Sequence, residues 1–153
     1  MRKIYTIKRD ALLSKLIDYK DKDIIKIITG IRRCGKSYLL FEIFYQYLIQ
    51  QGIDKEHIIR INLESKKNEN LRDGNQLYQY VEKQILDAKR YYIFIDEIQM
   101  VDGFEDVVNG IKNDFNSDLY ITGSNSKLLS SDINTKLRGR GIEIKVYPLS
   151  FKE

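Results

Sequence analysis

Two periods of apolar residues alternate along this chain. Short runs rich in Ile, Tyr and Phe are separated by stretches in which apolar residues recur every three or four positions. Lys8 to Asp18 reads as a short helix, with Leu12, Leu13, Leu16 and Ile17 on one side. Asp23 to Thr29 is an apolar, β-rich run and the first strong strand. Gly35 to Gln50 reads as a helix, since Leu39, Leu40, Ile43, Phe44, Tyr47 and Leu48 recur at helical spacing. Gly52 then serves as its stop. His57 to Leu63 is a second strand, and Glu64 to Gly74 a polar, turn-rich and mobile connection. Leu77, Val81 and Ile85 mark the next helix. Tyr91 to Asp96 is a third strand, apolar almost throughout, as expected of a strand covered on both faces. Phe104, Val107, Val108 and Ile111 mark a helix, Leu119 to Thr122 a fourth strand, Leu128 to Leu137 a broken helical stretch, and Ile142 to Tyr147 a fifth strand.

Strand and helix therefore alternate. That pattern predicts an α/β fold, a three-layer sandwich in which a parallel sheet of about five strands is covered by helices. The 153 residues are enough for one domain with its own core. The abrupt close at PLSFKE, with apolar Leu149 and Phe151, reads as a cut inside a longer protein.

Composition changes this picture little. Hydrophobic residues make up 42% and charged residues 31%, as in ordinary soluble proteins. The net charge of +4 permits a polyanionic partner, but the basic residues form no stripe. Cys34 is the single cysteine, so no intramolecular disulfide can form, which fits a reducing compartment. No run approaches the ~20 apolar residues of a membrane span. The basic start MRKIYTIKRD lacks the apolar core of a secretory signal. The expectation is a cytoplasmic protein without a membrane partner.

The chemistry concentrates in three places. Gly30-Ile31-Arg32-Arg33-Cys34-Gly35-Lys36-Ser37 fits G-x-x-x-x-G-K-[ST], and it follows a strand and opens a helix, the context that gives the pattern meaning. Its glycines let successive N–H groups turn inward around phosphate oxygens. The helix start adds a positive end. Lys36 suits the β- and γ-phosphates, and the Ser37 hydroxyl suits Mg²⁺. A mere glycine-rich surface turn is the poorer reading in this context. Arg32 and Arg33 fill variable positions, open to phosphate, to a neighbouring subunit or to solvent. Cys34 reads as a small filler, although cations and a helix start favour a reactive thiol.

Asp96 and Glu97 close the apolar run YYIFI. Ligands of open α/β sheets bind beyond such strand ends. Asp96 suits the acid that holds Mg²⁺, and Glu97 the base that polarises an attacking water. Thr122, Ser124 and Asn125 end the fourth strand, where polar groups would face the γ-phosphate. Ser124 and Asn125 are equally good helix N-caps. Arg138, Gly139 and Arg140 precede the fifth strand. An arginine there reads either as a basic turn or as a finger supplied to a neighbour's nucleotide. Asn62 and Glu64 either line the cleft or serve structure. His57 has no companions at metal-ligand spacing, so no Zn site is expected.

Taken together, ITGIRRCGKS, YYIFIDEIQ, ITGSNSKLLS, the Gly139-Arg140 pair and PLSFKE resemble the AAA-type P-loop ATPase family of bacteria and archaea, across nearly the whole chain. Members are usually described as ATP-binding proteins, with an N-terminal AAA domain and a C-terminal domain of unknown function. This chain is similar to the N-terminal domain alone. The resemblance implies an ASCE-type sheet of order 5-1-4-3-2, with the sensor strand between those of the Walker A and Walker B motifs. It implies ATP and Mg²⁺ as ligands, phosphate binding by Gly30 to Ser37, and Mg²⁺ and water handled through Ser37, Asp96 and Glu97. Sensing falls to Ser124 or Asn125, and Arg140 becomes the candidate finger. One position departs from the pattern. Tyr38 follows Ser37 where many P-loops carry a small Thr whose hydroxyl reaches the α-phosphate. The Tyr38 N–H can still donate, so affinity is expected to be weaker.

These residues favour an ATP hydrolase that drives motion in a C-terminal part. The alternatives are a nucleotide-gated binding module with little turnover, and a DNA-handling ATPase. A GTPase is disfavoured by the lack of N-K-x-D after the acidic pair, and a transporter ATPase by the lack of L-S-G-G-Q. A small-molecule kinase would need a substrate lid, and none is evident.

Overall fold

The computed structural model describes residues 2–30, 35–124, 137 and 139–146. Five strands form one sheet: β1 (Ile25–Gly30), β2 (Ile58–Asn62), β3 (Tyr91–Asp96), β4 (Ser117–Ser124) and β5 (Gly141–Lys145). Their order is β2-β3-β4-β1-β5, and every neighbouring pair is parallel. This is the order implied by the resemblance, read from the other edge.

Successive side chains of a strand point to opposite faces. The sheet accordingly feeds two cores. Ile27, Ile59, Ile61, Ile93, Ile95 and Ile121 pack on one face, against α4 (Gly74–Gln84) and α5 (Phe104–Asp114). Ile28, Ile58, Phe94, Tyr120 and Ile144 pack on the other, with Leu16 of α1 (Arg2–Tyr19) and Leu40, Phe44 and Leu48. β1 and β3 are buried along their whole length because both faces are covered.

Several elements differ from the sequence reading. The first helix begins at Arg2 rather than Lys8. Lys36 to Gln50 is helical but not uniform: α2 (Lys36–Tyr38) passes through a π-helical stretch (Leu39–Phe44) into α3 (Tyr45–Gln50). Within that stretch Phe41 O accepts a bond of 3.2 Å from Arg60 Nη1, and the Arg60 guanidinium stacks 3.7 Å from the Tyr45 ring centroid. The connection read as mobile contains two short 3₁₀ turns within Lys66–Arg72, kinked at Asn68. It is held down by buried Leu71 and by Arg72 Nε, which donates to Leu63 O at 2.8 Å. His57 sits in a 3₁₀ turn (Lys55–His57) ahead of β2, and Ile85 caps α4 rather than continuing it. The fourth strand extends to Ser117–Ser124, and the fifth runs Gly141–Lys145. The stretch from Leu128 lies outside the described residues except for Leu137, which is fully buried.

An ion pair inside the second core had no counterpart in the sequence reading. Lys26 Nζ lies 2.5 Å from Asp118 Oδ1, and both side chains are fully buried. Lys26 also donates to Lys22 O at 2.8 Å. Asp118 Oδ2 accepts from Tyr120 Oη at 2.7 Å and from the Asp21 N–H at 2.9 Å. A charge without partners would be far too costly there, and these bonds satisfy it. Burial pulls the Lys26 ammonium below the usual lysine range, against the opposing pull of Asp118, and pushes the Tyr120 phenol up.

Candidate nucleotide site

Parallel strands direct their C-terminal ends to one edge of the sheet, so β1, β2, β3 and β4 deliver their last residues together. A cleft of about 450 Å³ opens there, lined by Gly35, Lys36, Ser37, Tyr38, Asn62, Glu64, Asp96 and Glu97. Gly30 ends β1 at the same edge. Gly35 precedes α2 with φ +94°, a left-handed conformation that costs a residue with a Cβ far more than it costs glycine. Ile31, Arg32, Arg33 and Cys34 lie outside the described residues.

The two halves of the cleft are bonded to each other. The Ser37 hydroxyl donates to Asp96, 2.8 Å from Oδ1 and 2.9 Å from Oδ2. Thr122 Oγ1 also donates to Asp96 Oδ1, and it accepts the Glu97 N–H at 3.0 Å. Thr122 thereby ties β4 to both acidic residues. Burial raises the Asp96 carboxyl above the usual aspartate range, despite the bonds from Thr122 and Ser37 and the nearby Lys36 charge.

Glu97 adopts φ +58°, ψ +54°, a left-handed conformation unusual for a side chain of this size. That turn brings its carboxylate back over the cleft. Lys36 Nζ lies 3.1 Å from Glu97 Oε1, and the Gln99 amide donates to Glu97 Oε2. Lys36 and Glu97 are both almost fully buried. The oxygen-only donors Ser37 and Asp96 fit a hard cation such as Mg²⁺, which takes one or two protein oxygens and completes its shell with phosphate oxygens and water. No cluster of three or more His, Cys, Asp or Glu able to hold a metal occurs among the described residues.

The structure thus brings Gly35, Lys36, Ser37, Tyr38, Asp96 and Glu97 together, with Gly30 beside them. Tyr38, half-exposed, forms one wall of the cleft. Asn62 and Glu64 line it too, and the Asn62 side-chain oxygen also accepts the Glu64 N–H at 3.0 Å, so they serve both the cleft and the local structure. Asn125 lies outside the described residues. Arg140 stands elsewhere. It directly precedes Gly141, which pairs with Ile25 at the start of β1, so it occupies the opposite edge of the sheet from Gly30. There its guanidinium donates to Asn113 Oδ1 at 2.5 Å. Gln99 and the double role of Thr122 were missed from sequence. The only signal for Gln99 was its position two residues after Glu97.

Comparisons with known proteins agree with this fold. A profile of the AAA domain family matches residues 22–153. The chain belongs to that family, and it is an AAA-type P-loop ATPase domain with the general character of an ATP-binding module. An uncharacterised protein of Haemophilus influenzae is 47% identical over 148 residues, covering 96% of this chain and 37% of that protein. An uncharacterised protein of Methanocaldococcus jannaschii is 40% identical over 154 residues, covering 99% of this chain and 32% of that protein. The chain thus spans about a third of the length of these curated relatives. Among solved structures, Drosophila ORC bound to DNA superposes with a TM-score of 0.64 at 10% identity, covering 97% of this chain and 95% of that one. The Thermotoga maritima RuvB Holliday junction branch migration motor gives 0.55 at 16% identity, covering 96% and 45%. At such identities the likeness concerns the fold alone. No described helix is long and apolar enough to cross a membrane.

Proposed function

We propose that this domain binds ATP with Mg²⁺ and hydrolyses it, and that the cycle drives a conformational change in a C-terminal part of a longer protein. The observation that carries the reading is the single cleft holding Lys36 and Ser37 against Asp96 and Glu97. Backbone N–H groups at Gly35 and the following helix start hold the phosphates, and Lys36 moves its ammonium from Glu97 to the β- and γ-oxygens. Ser37 and Asp96 hold the cation. The chemistry Mg²⁺ supplies when bound is neutralisation of charge shared between β- and γ-phosphate oxygens. Glu97, released from Lys36, accepts a proton from water as the water oxygen bonds to the γ-phosphorus. The bond from that phosphorus to the β–γ bridging oxygen breaks, leaving ADP and inorganic phosphate.

A nucleotide-gated module with little turnover is favoured by one observation. Among its described residues the cleft is lined by no arginine, and Arg140 sits at the far edge of the sheet. In our reading Arg140 acts on the nucleotide of a second copy. A supplied arginine is worth roughly 10³–10⁵-fold in other P-loop proteins. Phosphate release by the full-length chain, measured against protein concentration, tests this. Specific activity that rises with concentration and falls in Arg140→Ala supports the hydrolase. Flat, negligible turnover with intact ATP binding supports the gated module. DNA remains a third proposed partner, resting on the net charge of +4. Binding that weakens steeply with salt would support it.

A further inference from the structure

Glu97 has its two carboxylate oxygens engaged by different residues. Oε1 faces Lys36, and Oε2 accepts the Gln99 amide N–H. These partners differ in what nucleotide does to them. Lys36 belongs to the phosphate loop and is drawn away by the more negative phosphates. Gln99 lies in the 3₁₀ turn Ile98–Met100 directly after Glu97 and is not among the residues that line the cleft.

A second observation concerns the other end of the same amide. Gln99 Oε1 is buried and has no hydrogen-bond partner among the described residues. An unpaired buried carbonyl is costly, and rotating the amide by half a turn would exchange its two ends. That exchange would press the carbonyl against the Glu97 carboxylate. The bond to the carboxylate therefore fixes the amide, at the expense of the carbonyl. A side chain present only for packing would not need a polar head oriented in this way.

We infer that Gln99 is a positioning residue for hydrolysis: it holds Glu97 by Oε2 when Lys36 leaves Oε1, so that the freed oxygen faces the attacking water in a fixed orientation. The inference rests on the reading of the site as an ATPase. Gln99 does not touch nucleotide. Its effect belongs to turnover, not to binding.

The test uses the full-length chain with Gln99→Met, Gln99→Ala and Gln99→His. Met keeps the length of the side chain without a donor, and His restores an N–H at similar reach. We expect Gln99→Met and Gln99→Ala to lower kcat roughly 10- to 100-fold, with KM for ATP and ATP affinity close to wild type. Gln99→His recovers much of the loss. Thermal unfolding shows whether each variant is folded. A second readout needs no turnover: in the nucleotide-free protein the Gln99 side-chain NH₂ signals in a ¹⁵N–¹H spectrum, assigned by their loss in Gln99→Met, shift in Glu97→Ala. Wild-type kcat in Gln99→Met, or amide signals unmoved by Glu97→Ala, overturns the inference while leaving the ATPase reading intact. KM rising in step with the fall in kcat also overturns it, because that pattern marks a binding or structural role. No turnover by the wild type, with the amide signals still moved by Glu97→Ala, overturns the hydrolase reading and the positioning role with it, and leaves only the contact.

Discussion

Lys36 Nζ lies 3.1 Å from Glu97 Oε1, so two buried side chains of opposite charge neutralise each other inside the cleft. Buried charges tolerate burial only when paired, and each of these has the other. In the proposed cycle ATP separates them, and occupancy of the site is thereby linked to release of Glu97.

Glu97→Gln should therefore separate binding from turnover. Loss of the general base is expected to slow phosphate release by about 10²–10⁴-fold. ATP affinity should hold or improve, because Lys36 no longer leaves an ion pair and the phosphates no longer face a carboxylate. Equilibrium binding and phosphate-release assays on the same preparation check both halves. Weakened binding would contradict the pairing argument.

Asp96→Asn tests the cost of burying this carboxylate. Burial raises the Asp96 pKa above the ordinary aspartate range. A raised pKa means the fold prefers the protonated form. This contribution to stability is present below the ordinary range and is lost as pH rises through the raised value. Above that raised value the fold bears the cost of the buried carboxylate, and the neutral amide removes it. Asp96→Asn should raise the melting temperature of the nucleotide-free protein by about 2–4 °C for each kcal/mol relieved. Mg²⁺-dependent turnover should disappear in the same variant. A lowered melting temperature would mean that the bonds from Ser37 and Thr122 outweigh the desolvation.

The Lys26–Asp118 pair makes a prediction far from the nucleotide. Asp118→Ala leaves Lys26 buried without its carboxylate partner, and removes the acceptor for Tyr120 and for the Asp21 N–H. Urea unfolding should show a loss of roughly 3–5 kcal/mol. Replacing both partners by apolar residues, as in Lys26→Met with Asp118→Leu, should recover most of it.

The tyrosines set the behaviour in alkali. Tyr78 is pushed up to about 12, chiefly by its bond to Asp114, while burial raises Tyr92 and Tyr120. Raised pKa values give stability that is complete below about pH 10 and lost as pH climbs further. Lys26, lowered by burial, acts in the opposite direction. With these tyrosines and Lys20, whose pKa is also raised, set against Lys26, stability should fall from about pH 10 upward, and Tyr78→Phe should flatten that fall between about pH 10 and about pH 12. Urea unfolding across this range, with tyrosinate absorbance as a second probe, checks it.

The sheet, and the meeting of Lys36 and Ser37 with Asp96 and Glu97 at one edge of it, were legible because their signals are local. YYIFID announces a strand covered on both faces, and Gly30 to Ser37 is contiguous. Lys26 was not legible, since its partner Asp118 lies 92 residues away and an apolar run hides a single lysine. The 3₁₀ turns within Lys66–Arg72 were read as mobile because their sequence is polar, and only the fold shows Leu71 entering the core. The contact between Gln99 and Glu97 accompanies the left-handed turn at Glu97, a conformation that sequence rarely reveals.

The most direct test of the account is calorimetric titration of ATP into the protein with and without Mg²⁺, alongside Lys36→Ala and with GTP as competitor. The account predicts saturable binding that is strengthened by Mg²⁺ and lost in Lys36→Ala. Equal affinity in the wild type and Lys36→Ala, or no heat in either across the millimolar range, would contradict it.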